Sequence, residues 1–283
     1  MKDVKNFLIV LFSLVIIIQG VFLFYLSHRL QAPARREVRR AEEIKPIVPP
    51  APVVKPKPKM VTGKIVLVLD DWGYSLKNKS FITDNDFHVT LSILPFKPYS
   101  TQIAQGAHAK DKDVIVHMPM EPHNKENYSL EEHTLLTSMD KATVDRLLDA
   151  AFESVPFAKG ISNHMGSKAT EDPVLMSTVL LYLKNKNRFF LDSFVTTKTV
   201  CRGLARKMNV GFAQRDVFID NDNDASAIRE QVLKLAQKAK KAGVAVGIGH
   251  DRPVTISVLK ELIPQLEQEG YQFINLSEII NNQ

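Results

Sequence analysis

From residue 61 onward, apolar runs of strand length alternate with stretches whose apolar residues recur every three to four positions. Runs without polar alternation belong to strands buried on both faces, and their alternation with amphipathic helices marks βα units around a parallel sheet. Lys64–Tyr74 (KIVLVLDDWGY) leads the series: Ile65–Leu69 is continuously aliphatic, then stops on Asp70 and Asp71, with Gly73 free to turn. Two adjacent carboxylates on one strand point to opposite faces, so a helix cap accounts for only one of them. Further strands are predicted at His88–Leu94, Asp113–Met118, Gly160–His164, Arg188–Leu191, Val210–Ala213, Val244–Gly249 and Tyr271–Leu276. Helices are predicted at Ser100–Ala109, Lys141–Val155, Thr170–Lys186, Thr197–Met208, Ala225–Lys241 and Pro253–Gly270. In the Ala225 helix, Ile228, Val232, Leu235 and Ala239 form the core stripe, the lysines form the solvated face, and Gly243 is the C-cap.

The front of the chain reads differently. Residues 1–6 are a short flank, and Phe7–Leu26 is apolar apart from Ser13, Gln19 and Gly20, long enough to cross a bilayer as one helix. A cleavable signal with Ala32-Pro33-Ala34 as its site is the rival. The apolar core is longer than an ordinary signal core, so a retained membrane anchor is expected. Residues 27–60 form a basic linker, with seven of the fifteen prolines between His28 and Met60, and residues 61–283 form the folded domain. The first sixty residues carry eleven Lys/Arg against four Asp/Glu, leaving twenty-six against twenty-seven for the domain. A near-neutral domain argues against nucleic acid as its partner, and the basic arm suits anionic lipid or an anionic envelope polymer. The basic residues after the apolar segment, by themselves, favour a cytoplasmic domain. The lone Cys201 decides no redox compartment.

Five apolar runs end on residues able to bind metal or move protons: Asp70/Asp71, His117, His164, Asp192 and His250. In a parallel sheet all five ends lie on one rim, where active sites form. Carboxylate and imidazole donors without a thiolate set suit Zn²⁺ or another first-row divalent ion held by about three ligands. That is a hydrolytic design, in which Asp70 and Asp71 divide the roles of base and ligand. Ser167 and Ser193 are spare hydroxyls that no motif marks as nucleophiles, there being no HExxH, cysteine pair, phosphate loop or GxSxG.

The order LDD (Leu69–Asp71), TLSILP (Thr90–Pro95), HMPMEP (His117–Pro122), NHMGS (Asn163–Ser167), FFLDS (Phe189–Ser193), RDVFIDN (Arg215–Asn221) and GIGH (Gly247–His250) resembles the divergent polysaccharide deacetylase family. The resemblance covers nearly all of residues 61–283. It implies an α/β fold, a deformed (β/α) barrel of the polysaccharide-deacetylase type, and metal-dependent removal of N- or O-acetyl groups from a cell-envelope polysaccharide or peptidoglycan-like glycan. It also implies an exported, periplasmic domain anchored in the inner membrane, against the charge pattern. By resemblance Asp70 is the base and Asp71 a metal ligand. His164 is the first histidine ligand, but Lys168 stands where the mainstream enzymes place a second. His117 is then the second ligand and His250 the general acid or a third histidine. Glu121, Asn163 and Asp192 are expected around them, orienting imidazoles or touching substrate. Arg215 and Asp220 do the same or pair with each other. The missing histidine leaves a second reading open, a catalytically silent, tethered glycan-binding or scaffold protein. A metal-dependent phosphoesterase is weaker, because few cations accompany the rim motifs.

Overall fold

The computed structural model describes residues 17–27, 61–127 and 129–280. Residues 17–27 are helical and exposed (α1). The rest of the expected anchor, residues 7–16, and the Pro-rich segment 28–60 lie outside the described residues. Among the described residues no helix is long and apolar enough to cross a membrane. The chain divides into two units, Met1–Lys55 and Pro56–Gln283.

The second unit is built around β1 (Gly63–Trp72). One edge of β1 pairs with β8 (Val244–His250) along nearly its whole length. The other edge is shared: β9 (Tyr271–Ile274) takes Gly63–Val66 and β2 (Thr90–Ile93) takes Val68–Trp72. Outward from β2 follow β3 (Asp113–Met120), β4 (Gly160–Met165), β5 (Phe189–Asp192) and β6 (Phe212–Gln214), while β7 (Val217–Phe218) flanks β8. Every ladder is parallel. The edge strands β6 and β7 are consecutive in the chain, joined by Arg215 and Asp216, whose amides bond Asp192 and Val246 carbonyls. The result is an incompletely closed parallel barrel.

Successive residues of β1 enter different cores. Ile65, Leu67 and Leu69 pack outward with helices α3 (Ser100–His108), α4 (Lys141–Ser154), α5 (Pro173–Asn185), α7 (Ala225–Ala242) and α8 (Pro253–Gln268). Val66 and Val68 belong to a second cluster with Ile115, Leu191, Val246, Ile248 and Leu276 of α9 (Leu276–Ile280). Both faces are apolar, which is why the strands read as unbroken runs.

Two helix starts differ from the sequence expectation for local reasons. The helix expected from Thr170 is a 3₁₀ turn at Ala169–Glu171 followed by α5, because Asp172 caps the amides of Val174 and Leu175 and Pro173 fits the first turn. The helix expected from Thr197 begins at Cys201 as α6 (Cys201–Met208), where the Thr199 hydroxyl accepts from the Cys201 amide and donates to the Asp192 carboxylate. A short helix α2 (Lys79–Thr83) and β7 were not expected.

Candidate metal centre

The C-terminal rim gathers the polar ends of β1, β3, β4 and β8. On its β8 side β1 keeps register through Asp70 opposite His250. On its β2 side the register jumps from Leu69 opposite Leu91 to Trp72 opposite Ile93, so one extra residue is accommodated there. Asp71 takes a left-handed conformation (φ 66°) at this bulge. The bulge overturns the expectation of opposite faces: Asp70 Oδ2 lies 3.6 Å and Asp71 Oδ1 3.4 Å from the same atom, His117 Nε2.

His117 comes from β3 and His164 from β4, neighbours in the sheet. Asp71 Oδ1 is 3.2 Å from His164 Nδ1, and His164 Nδ1 is 3.2 Å from His117 Nε2. The three atoms form a triangle with sides of 3.2, 3.2 and 3.4 Å. Four-coordinate zinc, with bonds of 2.0–2.2 Å, holds its ligand atoms about 3.4 Å apart. The donor set therefore fits a divalent cation. Asp71 Oδ1 is also buried without a hydrogen-bond donor of good geometry, the state a metal-ligating oxygen has. Burial pushes the Asp71 carboxyl up, but the two imidazoles outweigh it and hold the group well below the usual carboxylate range.

The imidazoles are oriented from behind. His117 Nδ1 is 2.7 Å from Ser162 Oγ, which is 2.7 Å from Ser92 Oγ. Were Nε2 to ligate a cation, the proton would reside on Nδ1 and Ser162 would accept it. His250 Nδ1 is 2.8 Å from Asp220 Oδ1, leaving Nε2 directed at Asp71 Oδ2 from 4.0 Å. Asp220 also accepts from the His250 amide and the Thr255 hydroxyl. Burial lowers the His250 imidazole, but the Asp220 carboxylate outweighs it and the group stands above its ordinary value. Asp70 moves the other way for a carboxylate: burial raises it, against the pull of His117 and His250.

The remaining predicted residues shape the rim and do not touch an imidazole, Asp220 excepted. Asn163 donates to the Met165 carbonyl and accepts from the Ser193 amide, tying the β4 turn to the β5 turn. Asp192 accepts from the Phe194 amide and the Thr199 hydroxyl, where an imidazole was expected. Arg215 donates to the Ser193 and Phe194 carbonyls and does not pair with Asp220. Glu121 is buried and accepts from Lys125, Lys168, and the Thr137 amide and hydroxyl. Lys168 is thus an ion-pair partner of Glu121 at 3.0 Å. Ser167 accepts from the His123 amide, while the Ser193 hydroxyl is buried without a partner. Sequence reading passed over Ser92, Ser162 and Thr255. A serine inside an otherwise apolar, doubly buried strand was the available signal, since such a hydroxyl needs a buried partner.

The profile of the divergent polysaccharide deacetylase family matches residues 67–280, and the chain belongs to that family. The chain is 31% identical over 222 residues to the uncharacterized protein YibQ of Escherichia coli K12, covering 78% of this chain and 69% of that protein. It is 34% identical over 221 residues to an uncharacterized protein of Haemophilus influenzae, covering 78% of each. A crystal structure of an uncharacterized protein from Agrobacterium tumefaciens C58 superimposes with a TM-score of 0.74 at 17% identity, covering 77% of this chain and 89% of that one, a likeness of fold.

Proposed function

We propose that this member of the divergent polysaccharide deacetylase family hydrolyses N- or O-acetyl groups on a cell-envelope polysaccharide, with a divalent metal, zinc by the nature of its donors, at the rim of the barrel. The observation that carries the reading is the triangle of Asp71, His117 and His164. These residues would hold the ion, with His117 fixed in its ligating tautomer by Ser162. When bound, the ion supplies Lewis acidity toward the acyl oxygen and a more acidic water.

Asp70 takes the proton of the attacking water, a role suited to a buried carboxyl whose affinity for protons is raised. His250 carries a proton for the departing amine or alkoxide, and Asp220 keeps that proton available. Lys168 does not deprive the centre of a second histidine, because His117 reaches it from the neighbouring strand. The apolar Phe7–Leu26 supports tethering of the domain at the inner membrane, while its placement on the envelope side rests on the family resemblance, against the basic residues that follow the apolar stretch.

Acetate release from partially acetylated glucosamine oligomers by the zinc-loaded chain tests the reading. Turnover in the wild type, lost in Asp71→Ala and His164→Ala, is the expected result. Saccharide binding without acetate release under any divalent metal replaces the hydrolase with a glycan-binding protein.

A further inference from the structure

The barrel is open along one side, away from the metal centre. Here β6 pairs only with β5 and β7 only with β8, and the chain crosses from one ladder to the other at Arg215 and Asp216. Between that crossing and the strand starts, no strand of the described residues lies between β6 and β8. The slot left there is a cavity of about 830 Å³. We propose that it receives a short extended segment of an acidic partner protein, which adds to β6 as a strand.

The edges of the slot carry unpaired backbone groups. The Phe190 amide bonds the Gly211 carbonyl and the Arg215 amide bonds the Asp192 carbonyl, so residues 211, 213 and 215 turn their backbone groups to β5. The N–H and C=O of Phe212 and Gln214 then face the slot, with no backbone partner among the described residues. On the opposite edge the Val246 amide donates to the Asp216 carboxylate at 2.9 Å, a side chain standing where a neighbouring strand's carbonyl would be. An open edge of this kind is a template for strand addition.

The two sides of the slot select the sequence that enters. Ala213, Val244 and Val246 point to the inner apolar cluster, which Ile279 and Ile280 of α9 join. Phe212 and Gln214 point the other way, where Arg202 of α6 lies over the Phe212 ring and donates to Gln214 Oε1 at 2.9 and 3.1 Å. Arg206, one turn on, is exposed and its side chain has no hydrogen-bond or ion-pair partner among the described residues. Lys238 of α7 stands on the other bank, bonding the Asp216 carbonyl. Asp216, the one carboxylate lining the slot among the described residues, is committed to the Val246 amide. Side chains of a strand alternate between faces, so an entering segment sets every second residue on the apolar cluster and the others beneath these cations. Alternating aliphatic and acidic residues satisfy both sides. A phosphate or lipid headgroup would meet the arginines and leave the strand edge unpaired.

The test titrates the full-length chain, in neutral detergent, with three fluorescein-labelled peptides: alternating Val-Glu-Val-Glu-Val-Glu, its block isomer Val-Val-Val-Glu-Glu-Glu, and alternating Val-Lys-Val-Lys-Val-Lys. Fluorescence anisotropy is expected to show the first binding about tenfold or more tighter than either of the others, with Arg206→Glu removing that preference. Hydrogen exchange is expected to show the Phe212 and Gln214 amides protected by the same peptide. Equal affinities, no binding of the alternating acidic peptide, a preference indifferent to Arg206→Glu, or binding that leaves both amides unprotected overturns the proposal. Binding of dihexanoylphosphatidylglycerol at Arg206 in place of the peptide assigns the slot to an anionic lipid and overturns it as well.

Discussion

Replacing Glu121 by Gln isolates the electrostatic part of the joint between the turn after β3 and the turn after β4. The carboxylate is buried, with Lys168 Nζ at 3.0 Å, Lys125 Nζ at 3.2 Å, and the Thr137 amide and hydroxyl both at 2.8 Å. Burial pushes the group up, but these donors outweigh it and hold it at about 2 against an ordinary 4.5. A folded-state value below the unfolded one contributes stability that is complete above the unfolded value and is lost as pH falls through the folded one. The gap converts to about 3 kcal/mol at pH 7, about 1.4 kcal/mol at pH 3 and well under 1 kcal/mol at pH 2. Urea denaturation of wild type and Glu121→Gln at pH 7 and pH 3, compared at equal ionic strength, measures it. The difference between the two proteins should shrink by about half or more at the lower pH. A gap that is the same at both pH values, or under about 0.5 kcal/mol at pH 7, would refute the claim that the ionised carboxylate clamps this joint.

Three further outcomes follow from the same geometry. Asp70→Asn should lower acetate release by about 10²–10⁴-fold while zinc content is retained, and loss of zinc from this variant would make Asp70 a ligand. Asp220→Asn removes the carboxylate that holds His250 above its ordinary value. An acid works only while protonated, so the alkaline limb of the pH–rate profile should move to lower pH, and an unmoved limb excludes His250 as the acid. Ser162→Ala removes the hydrogen-bond partner of His117 Nδ1 and should weaken zinc about 10–100-fold in a competition titration, with unchanged affinity contradicting the orienting role.

Much of the fold was legible because the barrel buries both faces of its strands, as in Ile65–Leu69, so each appears as an unbroken run with its polar residues gathered at the end. The rim residues were legible for the same reason. What the pattern cannot encode is an event in one ladder. The bulge between Leu69 and Trp72, which turns Asp70 and Asp71 toward one imidazole, exists only in pairing with β2. The insertion of β9 beside the first half of β1 is likewise a matter of register. His117 comes within 3.2 Å of His164 because β3 and β4 are adjacent, with Pro119 opposite His164. Spacing along the chain could only nominate His117 beside His250. Asp192 and Arg215 carry the chemistry of catalytic residues but are used to pin the backbone of Ser193 and Phe194, a distinction that residue type does not make.

The central claim is that Asp71, His117 and His164 form one cation site. Metal content per chain, by mass spectrometry on the purified wild type, Asp71→Ala and His164→Ala after incubation with zinc and dialysis, tests it most directly. The account predicts near-stoichiometric metal in the wild type and loss in both variants with the fold retained. A wild type without metal after exposure to zinc, cobalt, nickel or manganese, or variants that keep it, would contradict the account.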